Sequence, residues 1–216
     1  MSQHTLTLLR FTYKKLKEKL TVSDSKKLFH ERLPYVIPGL YKRIIDEMLV
    51  ELNLLNQQNE FIQDYLFCIG LTRTFKELTT GYKPEKHLDP LFESLCFSTN
   101  FDAKKINDIS IKTFEEFKNK SSKEISTLII KKSKSPLYSS RILNLGIYLI
   151  ISNSIDYKDI NESERNELIS EICKALSLSI SKADKDIGIY NSSLKKLEQA
   201  KELLEETKIK DKQKKI

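Results

Sequence analysis

The chain has 216 residues and a formal net charge of +7, from 37 Lys and Arg against 30 Asp and Glu. That length fits one domain or two small ones, and a chain of this size buries enough surface for a true core. Only five Gly and five Pro are present, few turn residues for a sandwich or barrel, so all-β architectures are disfavoured. The charge is unevenly spread. Residues 1–20 carry Arg10, Lys14, Lys15, Lys17 and Lys19 against Glu18, and residues 208–216 carry Lys208, Lys210, Lys212, Lys214 and Lys215 against Asp211. Each end is therefore +4, which leaves −1 on the body. A nucleic-acid-binding domain carries its basic stripe on the folded body; two basic ends on a near-neutral body predict no nucleic-acid partner.

Cys68, Cys96 and Cys173 lie far apart among apolar neighbours, which predicts a reduced interior rather than a disulfide framework. The longest apolar stretch, 142–151, is too short to cross a hydrocarbon layer of about 30 Å. The first residues lack the apolar core and small-residue cleavage site of a secretory signal. A soluble or peripheral protein on the reducing side of a membrane is expected.

In chain order, residues 1–20 predict a basic amphipathic helix with Leu9, Tyr13, Leu16 and Leu20 on one face. Such a helix can lie on an anionic lipid surface; a loose terminal extension is the alternative. Ser23 is the expected N-cap of the next helix, which ends before Pro34. Pro34 and Pro38 make 33–38 irregular. A long helix then runs to about Asn56, with Tyr41, Ile44, Ile45, Met48, Leu52 and Leu55 on its apolar face and Lys42–Asp46 and Arg43–Glu47 as i,i+4 pairs on its wet side. A helix over 62–80, apolar on more than one face, is expected to be central, with Gly81 and Pro84 as its stop. A short helix follows near 90–97, then one or two exposed helices over 102–131. Residues 133–136 read as a linker. The apolar helix 140–152 is a second central element, in which Gly146 permits close packing. Residues 161–178 open with a cap and an acidic first turn. The last helix, 181–207, spaces Ala183, Ile187, Tyr190, Leu194, Leu197 and Leu204 as a coiled-coil seam of about three heptads.

Chemistry-bearing patterns are sparse. His4, His30 and His87 have no metal-ligand spacing with each other or with a cysteine. No Gly-rich phosphate loop exists. Asp46, Glu47 and Glu51 crowd one helix, but Lys42 and Arg43 one turn away make them read as an ion-paired wet face. No catalytic, cofactor-binding or metal-binding residue, no cofactor and no small-molecule substrate is expected. The candidate partner-binding residues are Tyr190, Leu194 and Leu197, a seam that can accept a partner helix; packing of the same stripe on the chain's own body is the alternative. The expected fold is all-α: an irregular helical bundle with a long C-terminal helix of coiled-coil character. Its parts are a basic extension (1–20), a helical domain (21–180), the coiled-coil-like helix (181–207) and a basic tail (208–216).

Six segments in order and register carry a family resemblance. They are T-V-S-D-S-K at 21–26, Y-K-R-I-I-D-E-M-L-V-E-L at 41–52, G-Y-K-P-E at 81–85, Y-S-S-R-I-L-N-L-G at 138–146, A-L-S-L at 175–178, and K-D-I-G-I-Y-N-S-S-L at 185–194 leading into A-K-E-L-L-E at 200–205. Together they resemble the thylakoid formation protein family of cyanobacteria and chloroplasts, also described as photosystem II biogenesis proteins. The resemblance covers about 21–207; residues 1–20 precede the usual family opening, and 102–136 match poorly and are shortened. It implies an all-α, non-enzymatic auxiliary factor, peripheral on the cytoplasmic face of the thylakoid membrane and partly soluble. It implies action by protein–protein contact in thylakoid biogenesis and in photosystem II assembly and repair. The implied partners are the FtsH-type membrane protease and photosystem II assembly components. A peripheral lipid-binding protein that organises photosynthetic membranes directly, with both basic ends on an anionic surface, is the alternative.

Overall fold

Local capping chemistry sets most of the helix starts. The computed structural model describes residues 19–134 and 137–213, so most of the basic extension and the side chains of the basic tail lie outside the described residues. Among the described residues there are nine α-helices and no strand, and the chain is all-α. Contacts divide it into two units, one of residues up to Phe61 with Gly81–Ile106, the other of Ile62–Thr80 with Asn107 onward.

In the first unit, α1 (Val22–Arg32) begins at Thr21. The Thr21 hydroxyl accepts the Asp24 N–H at 3.1 Å, and the Asp24 carboxylate accepts the Thr21 N–H at 3.2 Å. This reciprocal box displaces the expected cap, Ser23, because only Thr21 has an acidic residue three positions on. After the proline-bracketed turn, α2 (Gly39–Asn56) follows, and both expected pairs form on its wet side, Lys42–Asp46 at 3.0 Å and Arg43–Glu47 at 2.9 Å. The buried Asn53 amide donates to the Leu20 carbonyl at 2.8 Å and the Ser25 hydroxyl at 2.7 Å, and Gln57 donates to Asn53 Oδ1. These bonds tie the segment entering α1 to α2 while satisfying a polar side chain in an apolar setting. A 3₁₀ turn (Glu85–His87) leads into α4 (Leu88–Ser98), and the His87 ring stacks on Tyr35 at 3.6 Å. Phe29, Ile45, Leu49, Leu52, Leu91 and Leu95 are among the fully buried apolar side chains here.

The second unit is built around two helices. In α3 (Tyr65–Leu78) nine residues are buried, and in α7 (Arg141–Ile151) nine of eleven are, the signature of helices surrounded by others. They cross at glycines. A Cβ on Gly70 would overlap the Ile142 carbonyl oxygen, and one on Gly146 would overlap the Leu66 carbonyl oxygen. Backbone meets backbone there, which any side chain would prevent.

The expected exposed stretch after residue 102 is two helices, α5 (Ala103–Glu116) and α6 (Ser122–Lys132). Asn119 breaks them at φ 57°, and Ser121 with Glu124 makes the second capping box. Asp156 adds a cap from a distant loop, accepting the Ser122 N–H at 2.8 Å and hydroxyl at 2.9 Å. Helix α8 (Glu162–Ala175) starts at the expected Asn161. Leu66, Ile69, Ile125, Ile129, Leu143, Ile147, Ile150, Ile169 and Ile172 join in one apolar cluster of this unit. Helix α9 (Ile180–Gln213) is longer than its apolar seam and carries the helix through the lysine-rich stretch to Gln213. It is tied to α7 by a buried hydrogen bond from Asn144 to Asp186 at 2.8 Å.

Candidate binding site beside the C-terminal helix

Along α9 the buried positions are Ala183, Asp186, Tyr190 and Leu197. The spacing keeps one stripe of the helix against the chain. Of the residues expected to meet a partner, Tyr190 is 3% exposed and Leu197 4% exposed, and Leu194 is half-buried. Beyond Leu197 the described side chains are exposed or half-exposed, with Leu203 64% and Leu204 49% exposed.

Tyr190 and Leu194 come together at a cavity of about 180 Å³. Helix α3 supplies Arg73 and Glu77, α5 supplies Phe114, and α7 with the turn after it supplies Tyr148 and Tyr157. The Tyr190 hydroxyl donates to the Glu77 carboxylate. The Tyr148 hydroxyl donates to Asn191 Oδ1 at 3.3 Å, and its ring meets Tyr190 edge-on at 6.2 Å. Burial pushes both phenols above the ordinary tyrosine range, with Glu77 adding to the effect on Tyr190, so both stay protonated donors at any physiological pH.

Arg73 is the unusual member. Its guanidinium lies over the Phe114 ring, 3.6 Å from the centroid. Desolvation lowers its pKa, while Glu77 and Glu115 act through space in the opposite sense. Among the described residues no carboxylate comes within 4.0 Å of it. The charged atoms are thus partly stripped of water and lie against a ring face, with Glu77 and Glu115 offsetting part of that cost from a distance.

Sequence reading finds Tyr190 and Leu194 by their heptad spacing but misses Arg73, Glu77, Phe114, Tyr148 and Tyr157. Arg73 and Glu77 sit one turn apart on a helix otherwise read for its apolar faces. A usable signal was the choice of arginine. Lys outnumbers Arg 31 to 6 in this chain, yet Arg32, Arg73 and Arg165 lie over Phe97, Phe114 and Tyr157 respectively. Arginine is the cation whose flat face suits a ring, so an arginine in so lysine-biased a chain is worth testing for a stacked position, although Arg43 makes an exposed ion pair with Glu47 instead.

No group of three or more His, Cys, Asp or Glu that could hold a metal ion occurs among the described residues. The three cysteines are buried, and burial pushes the Cys173 thiol up to about 11, away from thiolate chemistry at neutral pH. No helix among the described residues is long and apolar enough to cross a membrane. What fold and cavity define is an all-helical protein with a cavity lined by tyrosine rings and polar side chains beside its C-terminal helix.

The chain belongs to the thylakoid formation protein family: the model described as "Thylakoid formation protein" matches residues 21–216. It is 72% identical over 200 residues to Protein Thf1 of Prochlorococcus marinus subsp. pastoris (strain CCMP1986 / NIES-2087 / MED4), covering 93% of this chain and 99% of the relative. It is 70% identical over 199 residues to Protein Thf1 of Prochlorococcus marinus (strain MIT 9312), covering 92% and 99%. A solved structure of Psb29 superposes with a TM-score of 0.80 at 25% identity, covering 91% of this chain and 98% of that one. The fold, and a role in thylakoid formation, follow from membership.

Proposed function

We propose that this chain is a non-enzymatic auxiliary factor in thylakoid biogenesis and in photosystem II assembly and repair, acting by protein–protein contact on the cytoplasmic face of the thylakoid membrane. The observation that carries the reading is the family match across 21–216, joined by the resemblance to Psb29 along nearly the whole of that structure. The partner is an FtsH-type thylakoid protease together with photosystem II assembly intermediates. Contact runs along α9. Tyr190 and Leu194 admit a partner group at the cavity mouth, Leu197 holds the helix in place, and Leu203 and Leu204 continue the seam in coiled-coil fashion towards a partner helix. The parts 1–20, 21–180, 181–207 and 208–216 then act as extension, body, partner helix and tail.

The test is capture of the tagged chain from detergent-solubilised thylakoids, paired with a deletion strain in bright light. Co-purification of an FtsH-type protease, and slowed photosystem II recovery in the deletion strain, are expected. Capture of neither protease nor photosystem II components, with normal recovery, overturns the reading. The alternative, a lipid-binding protein that organises the membrane directly, draws on the +4 charge at each end. It predicts flotation with vesicles that rises with anionic lipid and disappears when 1–20 and 208–216 are removed.

A further inference from the structure

The cavity beside α9 has a more specific chemistry than a generic contact surface. Its volume of about 180 Å³ is below the several hundred Å³ of sites for drug-sized ligands. Apolar cavities of about 150 Å³ hold a single benzene ring, so one ring with a small substituent is the scale of occupant. The walls are flat and apolar where Tyr148 and Tyr190 meet edge to face. At the other side Arg73 presents its guanidinium, stacked on Phe114, with Glu77 and Glu115 acting on it through space and no ion pair formed with either among the described residues. The acid that shares the cavity, Glu77, already accepts the Tyr190 hydroxyl.

We propose that this cavity binds a small organic carboxylate with a flat apolar body, the Arg73 guanidinium gripping the carboxylate and the tyrosine rings packing the body. A guanidinium presents parallel N–H donors that match the two oxygens of a carboxylate. Stacking on Phe114 fixes the plane of that fork in advance, so little is lost in ordering it when the ligand enters. A neutral ring brings no charge to the guanidinium, and a cationic ring meets it as a like charge, while the carboxylate of Glu77 in the same cavity is turned to the Tyr190 hydroxyl. The site stands whether or not a protein partner docks along α9. The same carboxylate is presented by a free acid and by the last residue of a polypeptide, and the experiment separates the two.

The full-length ¹⁵N-labelled chain is titrated with benzoate, benzamide and benzamidine and followed by NMR. Benzoate is expected to move the Tyr148, Tyr190 and Asn191 resonances saturably, with a Kd of about 1 mM. Benzamide should bind at least about tenfold more weakly, and benzamidine should leave those resonances in place. Arg73→Gln is expected to weaken benzoate by about tenfold or more, with Arg73→Lys between the two. For the source, a short peptide ending in a free phenylalanine carboxylate is compared with its carboxamide. Tighter binding of the acid peptide than of benzoate assigns the ligand to a chain terminus; equal or weaker binding assigns it to a free acid. Absence of a saturable shift with benzoate, benzamidine binding in its stead, or full benzoate affinity in a folded Arg73→Gln chain each overturns the proposal. Should Arg73→Gln not fold, the benzoate–benzamide difference on the unaltered chain decides.

Discussion

Asp64 caps α3 with one carboxylate oxygen, which accepts the Phe67 N–H at 2.8 Å, while its other oxygen is buried without a hydrogen-bond partner among the described residues. Desolvation outweighs the backbone bonds and lifts the carboxyl from 3.8 to about 6. The folded chain therefore holds a proton between about pH 4 and pH 6 that the unfolded chain has released. Stability from this group is greatest below pH 4, falls as pH rises through that window, and is flat above it. Asparagine caps a helix as well as aspartate does and carries no charge to desolvate. Asp64→Asn is thus expected to be more stable than the natural chain at pH 7, by up to about 3 kcal/mol. The gain should vanish near pH 4 when urea midpoints are compared across pH. An unchanged pH slope in the variant would show that the burial of Asp64 is not its source.

At the scale of elements, α3 and α7 cross backbone against backbone at Gly70 and Gly146. Glycine to alanine inside a helix ordinarily stabilises by up to about 1 kcal/mol. Here the added carbon meets backbone that cannot rotate away, so Gly70→Ala and Gly146→Ala are each expected to cost about 3 kcal/mol or more. The two losses should not add, because one forced separation of the helices serves both. Thermal or urea midpoints check this, and a gain in either variant would contradict the close crossing. The sequence made one half of the crossing legible, since Gly146 stands in an otherwise apolar helix; Gly70 is masked by equally apolar neighbours, and its role depends on which helix lies across it. Helix existence was legible throughout, through Gly81, the Asn161 cap and the prolines. The cap at Thr21 was missed because Ser23 and Asp24 satisfy the local rule equally well, and reciprocity with Asp24 decides it. The cavity was legible only along α9. Arg73, Phe114 and Tyr157 belong to three separated stretches, and no periodicity joins them.

For the whole molecule, the charge of +7 separates into two ends of +4 and a body of −1, and burial separates α9 in the same way. Its described side chains beyond Leu197 are exposed or half-exposed. Ending the chain at Lys201 should therefore shift stability by no more than about 0.5 kcal/mol in thermal melting, while abolishing capture of any partner that reads Leu203 and Leu204. A large drop in melting temperature would instead make that end part of the fold. The order of helices also carries a consequence in time. Helix α3 lies within a stretch, Ile62–Thr80, that interrupts the first unit along the chain but counts with the second, and its tightest neighbour, α7, is completed only at Ile151. At about 5–20 residues per second on the ribosome, the 73 residues from Leu78 to Ile151 take about 4–15 s to synthesise. For those seconds the apolar side chains that α3 buries in the folded chain lack the helix that covers them, so this stretch of the nascent chain carries exposed apolar surface longer than a contiguous unit would require.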